Sequence, residues 1–468
     1  MAGRQVLRKI SYSFAANLVS LCVSVCMVML VPKFLPVEDY GLWQLFLFYF
    51  SYLGFLHFGW EDGIYLRYAG KSFEKLPCRT FAGQFYAVIL LQFLLAALAV
   101  LGGWLLVEEP GRRLAFLCAV VLAPLVNFNN LCNFVLQITD RIKDYARLLL
   151  TERVALLLLV LAVLALGLGA FRCLFLAKLC SLFLAACCGA WLCRSLLRFH
   201  FPPLREVLSE AGQNLRAGVK LMFANIASML LVGIVRYGIS LGWDVATFGR
   251  ISLTLGISNF LMVFISSVSV VFFPIVKRLG GERRQELYGR VRALLSFLLL
   301  GLLLAYYPLK CALAWWLPQY AESLIYMSVL FPVCLFESKV DLLTNTYLKS
   351  LRQEALMLKL NLAAVALSAL VTVLAVACLH SLEAAVLAIP LLYAFRSAIS
   401  ELAVGRMLGL QLGRRVAEDL LMAAVFMASG WCLDSWLSLA VYGAAYLLYV
   451  LWHRAEVREA LGLIRGEG

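Results

Sequence analysis

The sequence predicts an all-α polytopic membrane protein of two pseudo-symmetric lobes, and three observations predict it. The 468-residue chain is 63% hydrophobic and 15% charged, and its apolar runs reach the roughly 20 residues that cross about 30 Å of hydrocarbon. Such runs, bounded by charged or Gly/Pro-marked turns, recur about fourteen times. A hairpin over residues 7–53 also recurs over 215–261 at a constant offset of 208. Ala16-Asn17-x-x-Ser20 falls on Ala224-Asn225-x-x-Ser228, Tyr40-Gly41 on Phe248-Gly249, Leu7-Arg8 on Leu215-Arg216, and Val37 on Val245. Polar, basic and glycine positions match, which hydrophobicity alone does not produce.

In order, the predicted helices lie near 10–35, 41–62, 80–107, 113–138, 147–169, 172–197, 218–241, 248–276, 290–316, 321–347, 355–379, 383–407, 416–434 and 436–453. The first follows Arg4, Arg8 and Lys9 but is too long for a signal peptide, so it is read as an uncleaved span. Six helices per repeat send both copies into the membrane in the same direction, related by an axis along its normal and facing a central cavity. Residues 1–199 then form the first lobe, and 200–217 a connector marked by Pro202-Pro203. Residues 218–409 form the second lobe, and 410–468 helices thirteen and fourteen with a tail. No stretch is polar enough for a separate soluble domain.

A net charge of +14 raises the question of nucleic acid, and its placement answers it. With the N-terminus inside, 31 of the 41 Lys and Arg fall in cytoplasmic segments, and only Lys33, Arg112, Arg113 and Arg172 lie in outer loops. This bias places both termini in the cytoplasm. The outer loops are too short to hold the catalytic groups of an enzyme acting outside the membrane. Fourteen Cys contain no CxxC pair, four His are scattered, and no Walker A or dinucleotide glycine pattern is present. No catalytic residue, metal site or cofactor is predicted, so any work draws on an H⁺ or Na⁺ gradient, the membrane potential or the substrate gradient.

Five segments carry a resemblance: Pro36-Val-Glu-Asp-Tyr-Gly-Leu-Trp43, Gly59-Trp-Glu-Asp-Gly-Ile-Tyr-Leu-Arg67, Arg236-Tyr-Gly, Phe248-Gly-Arg-Ile-Ser-Leu253 and Val271-Phe-Phe-Pro274. In order and spacing they resemble the polysaccharide flippase branch of the multidrug/oligosaccharidyl-lipid/polysaccharide exporter superfamily. The resemblance implies a carrier that turns undecaprenyl-diphosphate-linked oligosaccharide across the bacterial cytoplasmic membrane by alternating access, alongside a polysaccharide polymerase and other pathway proteins. A lipid II flippase, also of fourteen spans, is a close alternative. A multidrug cation antiporter shares the fold, and a membrane polymerase or glycosyltransferase is the alternative of another class.

Such a substrate needs cations for its phosphates and hydrogen-bonding groups for its sugars. A charge inside a span costs about 2.5–3.5 kcal/mol on insertion scales and so faces a cavity or a partner. Arg236 is the sharpest cation, on one face of helix seven with Asn225 and Ser228. Asn17 and Ser20 repeat that stripe on helix one, lining the cavity or gluing helices. Asn130, Asn133 and Gln137 share a face of helix four and suit sugar hydroxyls or a structural network. Glu61, Asp62 and Arg67 close helix two at the cytoplasmic side, with Arg67 as a phosphate contact. On helix ten, Glu337 and Asp341 lie one turn apart with Lys339 between them, a coupling site or a salt bridge to Arg396 or Lys339.

Overall fold

When lipid replaces water, every backbone N–H and C=O must be satisfied within its own segment, so long apolar runs fold as helices. The computed structural model describes residues 2–68, 71–198, 202–258, 276, 281–433 and 435–456, and the side chains of 2–17 and 281 lie outside the description. Among the described residues every regular element is helical. In the first half, α1 spans Ala2–Phe34, and α2 runs Val37–Leu53 and Trp60–Tyr68 around a 3-10 turn at Gly54–His57. Then come α3 (Cys78–Leu106), α4 (Pro110–Ile138), α5 (Ile142–Ala165) and α6 (Phe171–Leu192). α7 spans Leu204–Gly242 and α8 is described over Val245–Ser258. After it come α9 (Glu282–Trp316), α10 (Pro318–Ser350), α11 (Glu354–Cys378) and α12 (Leu382–Leu408). The last two are α13 (Gly413–Cys432) and α14 (Trp436–Trp452). α3 to α7 and α9 to α12 are each long and apolar enough to cross a membrane. The motif Val271-Phe-Phe-Pro274 lies outside the described residues.

Among the described residues several helices depart from plain α geometry, two of them next to charged residues singled out above. α2 breaks where Phe58 and Gly59 take left-handed φ values of 53° and 87°, and α10 widens to a π-helix over Val340–Asn345, just after Lys339. The connector expected over 200–217 is, from Leu204 onward, the first turns of α7. Pro203 stands immediately before that helix, where its missing N–H costs nothing, and its carbonyl accepts from the Glu206 N–H at 2.9 Å.

Contacts divide the chain into two compact units. The first runs to Ile226 and includes Val245–Gly249, and the second comprises Ala227–Asp244 and the chain from Arg250. In the first, α5 pairs with α6, α1 packs on α5, and α2 packs on α4. Glycine sets two of its closest crossings. A Cβ on Gly63 of α2 would lie 1.9 Å from the Asn214 carbonyl oxygen of α7, and one on Gly218 would lie 2.0 Å from that of Gly59. A Cβ on Gly41 would lie 2.2 Å from the Val245 carbonyl oxygen, and one on Gly249 would lie 2.6 Å from the Gly41 Cα. The glycines that match in the repeat therefore touch each other, and small residues let these backbones approach as packing within lipid requires.

In the second unit α11 pairs with α12, and α10 packs against α12 and α13. The C-terminal hairpin is fastened by tyrosines. Tyr442 and Tyr446 of α14 donate to the carbonyls of Leu300 (2.8 Å) and Phe297 (3.0 Å) of α9, and Tyr307 returns a bond to Ser438 O at 3.0 Å. Each buried hydroxyl thereby gains the partner that an apolar surrounding demands.

Candidate functional site

The carboxamides of α4 split into two groups because one turn of helix faces two surroundings. Asn127 and Asn129 are buried. Asn127 Nδ2 donates to Leu53 O, Gln92 Oε1 and Ala123 O within 3.1 Å, and Asn129 donates to Leu182 O at 3.1 Å. These two staple helices. Asn130, Asn133 and Gln137 are only half-buried, and neither Asn133 Oδ1 nor Ser20 Oγ on α1 has a hydrogen-bond partner among the described residues. The side chain of Asn17 lies outside the described residues.

The second piece of α2 carries Glu61, Asp62 and Arg67. Arg67 donates to Glu210 at 2.6 Å, to Gln213 at 2.8 Å and to Asn214, all on α7, while the Tyr68 hydroxyl meets Glu210 at 2.7 Å. Its guanidinium is engaged within the protein, whereas the sequence places it as a phosphate contact; an anion there would have to displace these partners. Asp62 lies 3.8 Å from His57 Nε2. Glu61 is fully enclosed, and neither of its oxygens has a hydrogen-bond partner among the described residues.

In the second unit Arg236 is half-buried and donates to Ser252 Oγ of α8 at 3.1 Å. Asn225, which belongs to the first unit, is exposed. Ser228 instead accepts from Arg396 at 3.1 Å. That arginine, 2% exposed, also donates to Asn361 at 3.0 Å and to Glu337 at 3.0 Å. Arg396 thus joins α7, α10, α11 and α12, and Glu337 takes the ion pair that the sequence offered against a coupling role. The Glu337 side chain keeps 22% exposure and Asp341, one turn on, is half-buried. Both carboxylates thus keep part of their surface exposed.

Lys339 turns the other way because two residues rotate an α-helix by about 200°. It meets Glu401 at 3.4 Å and Asp419, and Arg292 meets Glu401 at 2.7 Å and Asp419 at 2.6 Å. Two cations and two carboxylates, each side chain at most 5% exposed, close a neutral quartet among α9, α10, α12 and α13. Sequence reading missed Arg292, Glu401, Asp419, Asn361 and Ser252. The signal available for Glu401 and Asp419 was a carboxylate at helical spacing among apolar residues. Among the described residues no group of three His, Cys, Asp or Glu is placed to hold a metal.

No protein-family model matches the chain, and no curated protein matches it by sequence. Solved structures do match. One, described as the lipid II flippase MurJ in an inward closed conformation, superposes with a TM-score of 0.68 over 96% of this chain and 99% of its own, at 9% identity. An inward-facing multidrug resistance MATE family transporter of the MOP superfamily superposes with a TM-score of 0.61 over 86% of this chain and 98% of its own, at 14% identity. A MATE bound to MaD5 gives 0.54 over 88% and 96%, at 14% identity. At such identities the likeness speaks for fold, and the chain has the fold of the multidrug/oligosaccharidyl-lipid/polysaccharide exporter superfamily.

Proposed function

We propose that this protein is a flippase of the bacterial cytoplasmic membrane. It moves undecaprenyl-diphosphate-linked oligosaccharide from the inner to the outer leaflet by alternating access, for surface polysaccharide synthesis beside a polymerase. The observation that carries the reading is that four of the helix-borne carboxylates, Glu61, Asp62 and Asp341 not among them, are already neutralised. Glu152, Glu337, Glu401 and Asp419 each have a Lys or Arg within 3.4 Å. A cation antiporter needs free carboxylates for its cargo, whereas an anionic lipid needs cations such as Arg236. The half-buried carboxamides Asn130, Asn133 and Gln137, with Ser20 and Asn225, supply bonds for sugar hydroxyls. Coupling to H⁺ or Na⁺ falls to Glu337 and Asp341, the carboxylates left partly open. The full-length superposition on a lipid II flippase favours peptidoglycan precursor as the second reading of the cargo.

The decisive experiment depletes the protein and measures which leaflet holds polyprenyl-diphosphate oligosaccharide. Accumulation on the cytoplasmic side is the expected result, and normal outward appearance in a strain without a redundant carrier would sink the proposal. Arg236→Ala is expected to reduce transport at least tenfold at unchanged protein level, as loss of a charge-assisted phosphate contact implies. Retained transport would remove Arg236 from the site.

A further inference from the structure

Arg153, counted with the cytoplasmic charges from the sequence, lies midway along its helix. It sits eleven residues beyond the start of α5 at Ile142, where the rise of about 1.5 Å per residue puts it deep in the span. The helix has a clear buried stripe, with Ala146, Leu156 and Val160 at most 6% exposed, and a clear outer face at Val154, Leu158 and Leu161. Residue 153 falls in register with the buried stripe, at i+7 from Ala146 and i−3 and i−7 from Leu156 and Val160. A guanidinium so placed faces the interior of the first unit, not the lipid.

Its surroundings leave a positive charge uncompensated. Among the described residues the ion pair beside it belongs to others: Lys178 of α6, 3% exposed, meets Glu152 at 2.7 Å with its ammonium 4.6 Å from the Phe50 ring centroid. Arg153 lies within electrostatic reach of Glu152, Lys178 and Tyr145, so two cations share one carboxylate. Its Nε is buried and donates to no acceptor among the described residues. Tyr145 lies within reach of Gln137 of α4, which brings the cluster beside the half-open carboxamide face. Ser20 Oγ and Asn133 Oδ1, on the two helices α1 and α4 that also pack on α5, are buried without hydrogen-bond partners.

We propose that Arg153, supported by the Lys178–Glu152 pair, is an anion-binding site inside the first unit that takes the diphosphate of an isoprenyl-linked substrate. The assignment to a diphosphate rests on the flippase reading; the need for an anion rests on the charges alone. A planar fork with unused donors suits phosphate oxygens, and the Lys178–Glu152 pair beside it, neutral as a pair, leaves the local charge at plus one.

The test uses the purified full-length protein and farnesyl diphosphate as probe, with farnesol as the tail-only control. Wild type is expected to bind the diphosphate at least tenfold more tightly than farnesol, and Arg153→Gln to lose roughly that factor while binding farnesol unchanged. Glu152→Gln, which removes the competing carboxylate, is expected to tighten diphosphate binding severalfold, and it decides the matter if Arg153→Gln does not fold. Equal diphosphate binding by wild type and Arg153→Gln, no preference over farnesol in wild type, or no gain in Glu152→Gln overturns the proposal. None of these outcomes bears on the leaflet assay, so the site and the flippase reading fail separately.

Discussion

The two units treat buried charge in opposite ways. In the second, Arg292, Lys339, Glu401 and Asp419 neutralise one another and Arg396 is fully engaged by Glu337, Asn361 and Ser228. In the first, Glu61 has no hydrogen-bond partner for either oxygen and Arg153 exceeds its share of Glu152. A closed network fixes helices at the cost of desolvating every member, whereas an open charge is held at a cost that packing does not return. The lesson is that a duplicated scaffold can devote its polar residues to cohesion in one copy and leave them available in the other.

Several substitutions would break that contrast or sharpen it. The largest effect is expected from Asp419→Ala, which leaves Arg292 and Lys339 sharing Glu401 alone in a site at most 5% exposed. Breaking a buried pair this way costs about 3–5 kcal/mol, to be read as a lower unfolding temperature in detergent and loss of protein from the membrane. Normal stability would mean that the quartet does not fasten α13. Next comes Gly63→Ala, whose new methyl would overlap the Asn214 carbonyl of α7. An overpacking penalty of about 1–3 kcal/mol is expected, and a variant as stable as wild type would show that the crossing opens freely. Arg153→Gln belongs at the bottom of the stability scale, since it removes no ion pair of its own.

A modest effect is expected from pH at the far end of the hairpin. His453, 7% exposed, lies 2.5 Å from Arg415 and 3.2 Å from Glu418. Burial, then the Arg415 charge, holds its imidazole below the ordinary value of 6.5. A depressed histidine contributes stability above its unfolded value that is lost as pH falls from there through the folded value. The unfolding temperature of wild type is therefore expected to fall more between pH 7 and pH 5 than that of His453→Gln, and parallel curves would exclude this histidine as the cause.

Much of this was legible in the chain. Spans are read from local hydropathy, and the feature that moved an expected boundary is local too: Pro203 can stand just ahead of α7 because a helix start needs no N–H from it. The repeat pairing of Gly41 with Gly249 was visible as a coincidence of sequence, though not as a contact. Partner choice was not legible. Lys339 lies two residues from Glu337 yet pairs with Asp419, 80 positions away, and Arg67 looks free until Glu210, Gln213 and Asn214 arrive from α7.

By itself the sequence determined that the chain is helical, membrane-spanning, duplicated and poor in catalytic groups, because backbone satisfaction in lipid, periodicity and composition act within a segment. Tertiary structure alone decided which polar residues cohere and which stay open. Ion pairs and carboxamide bonds reach only about 3 Å, so their partners depend on which helices meet and at what rotation, and neither is encoded within a single span.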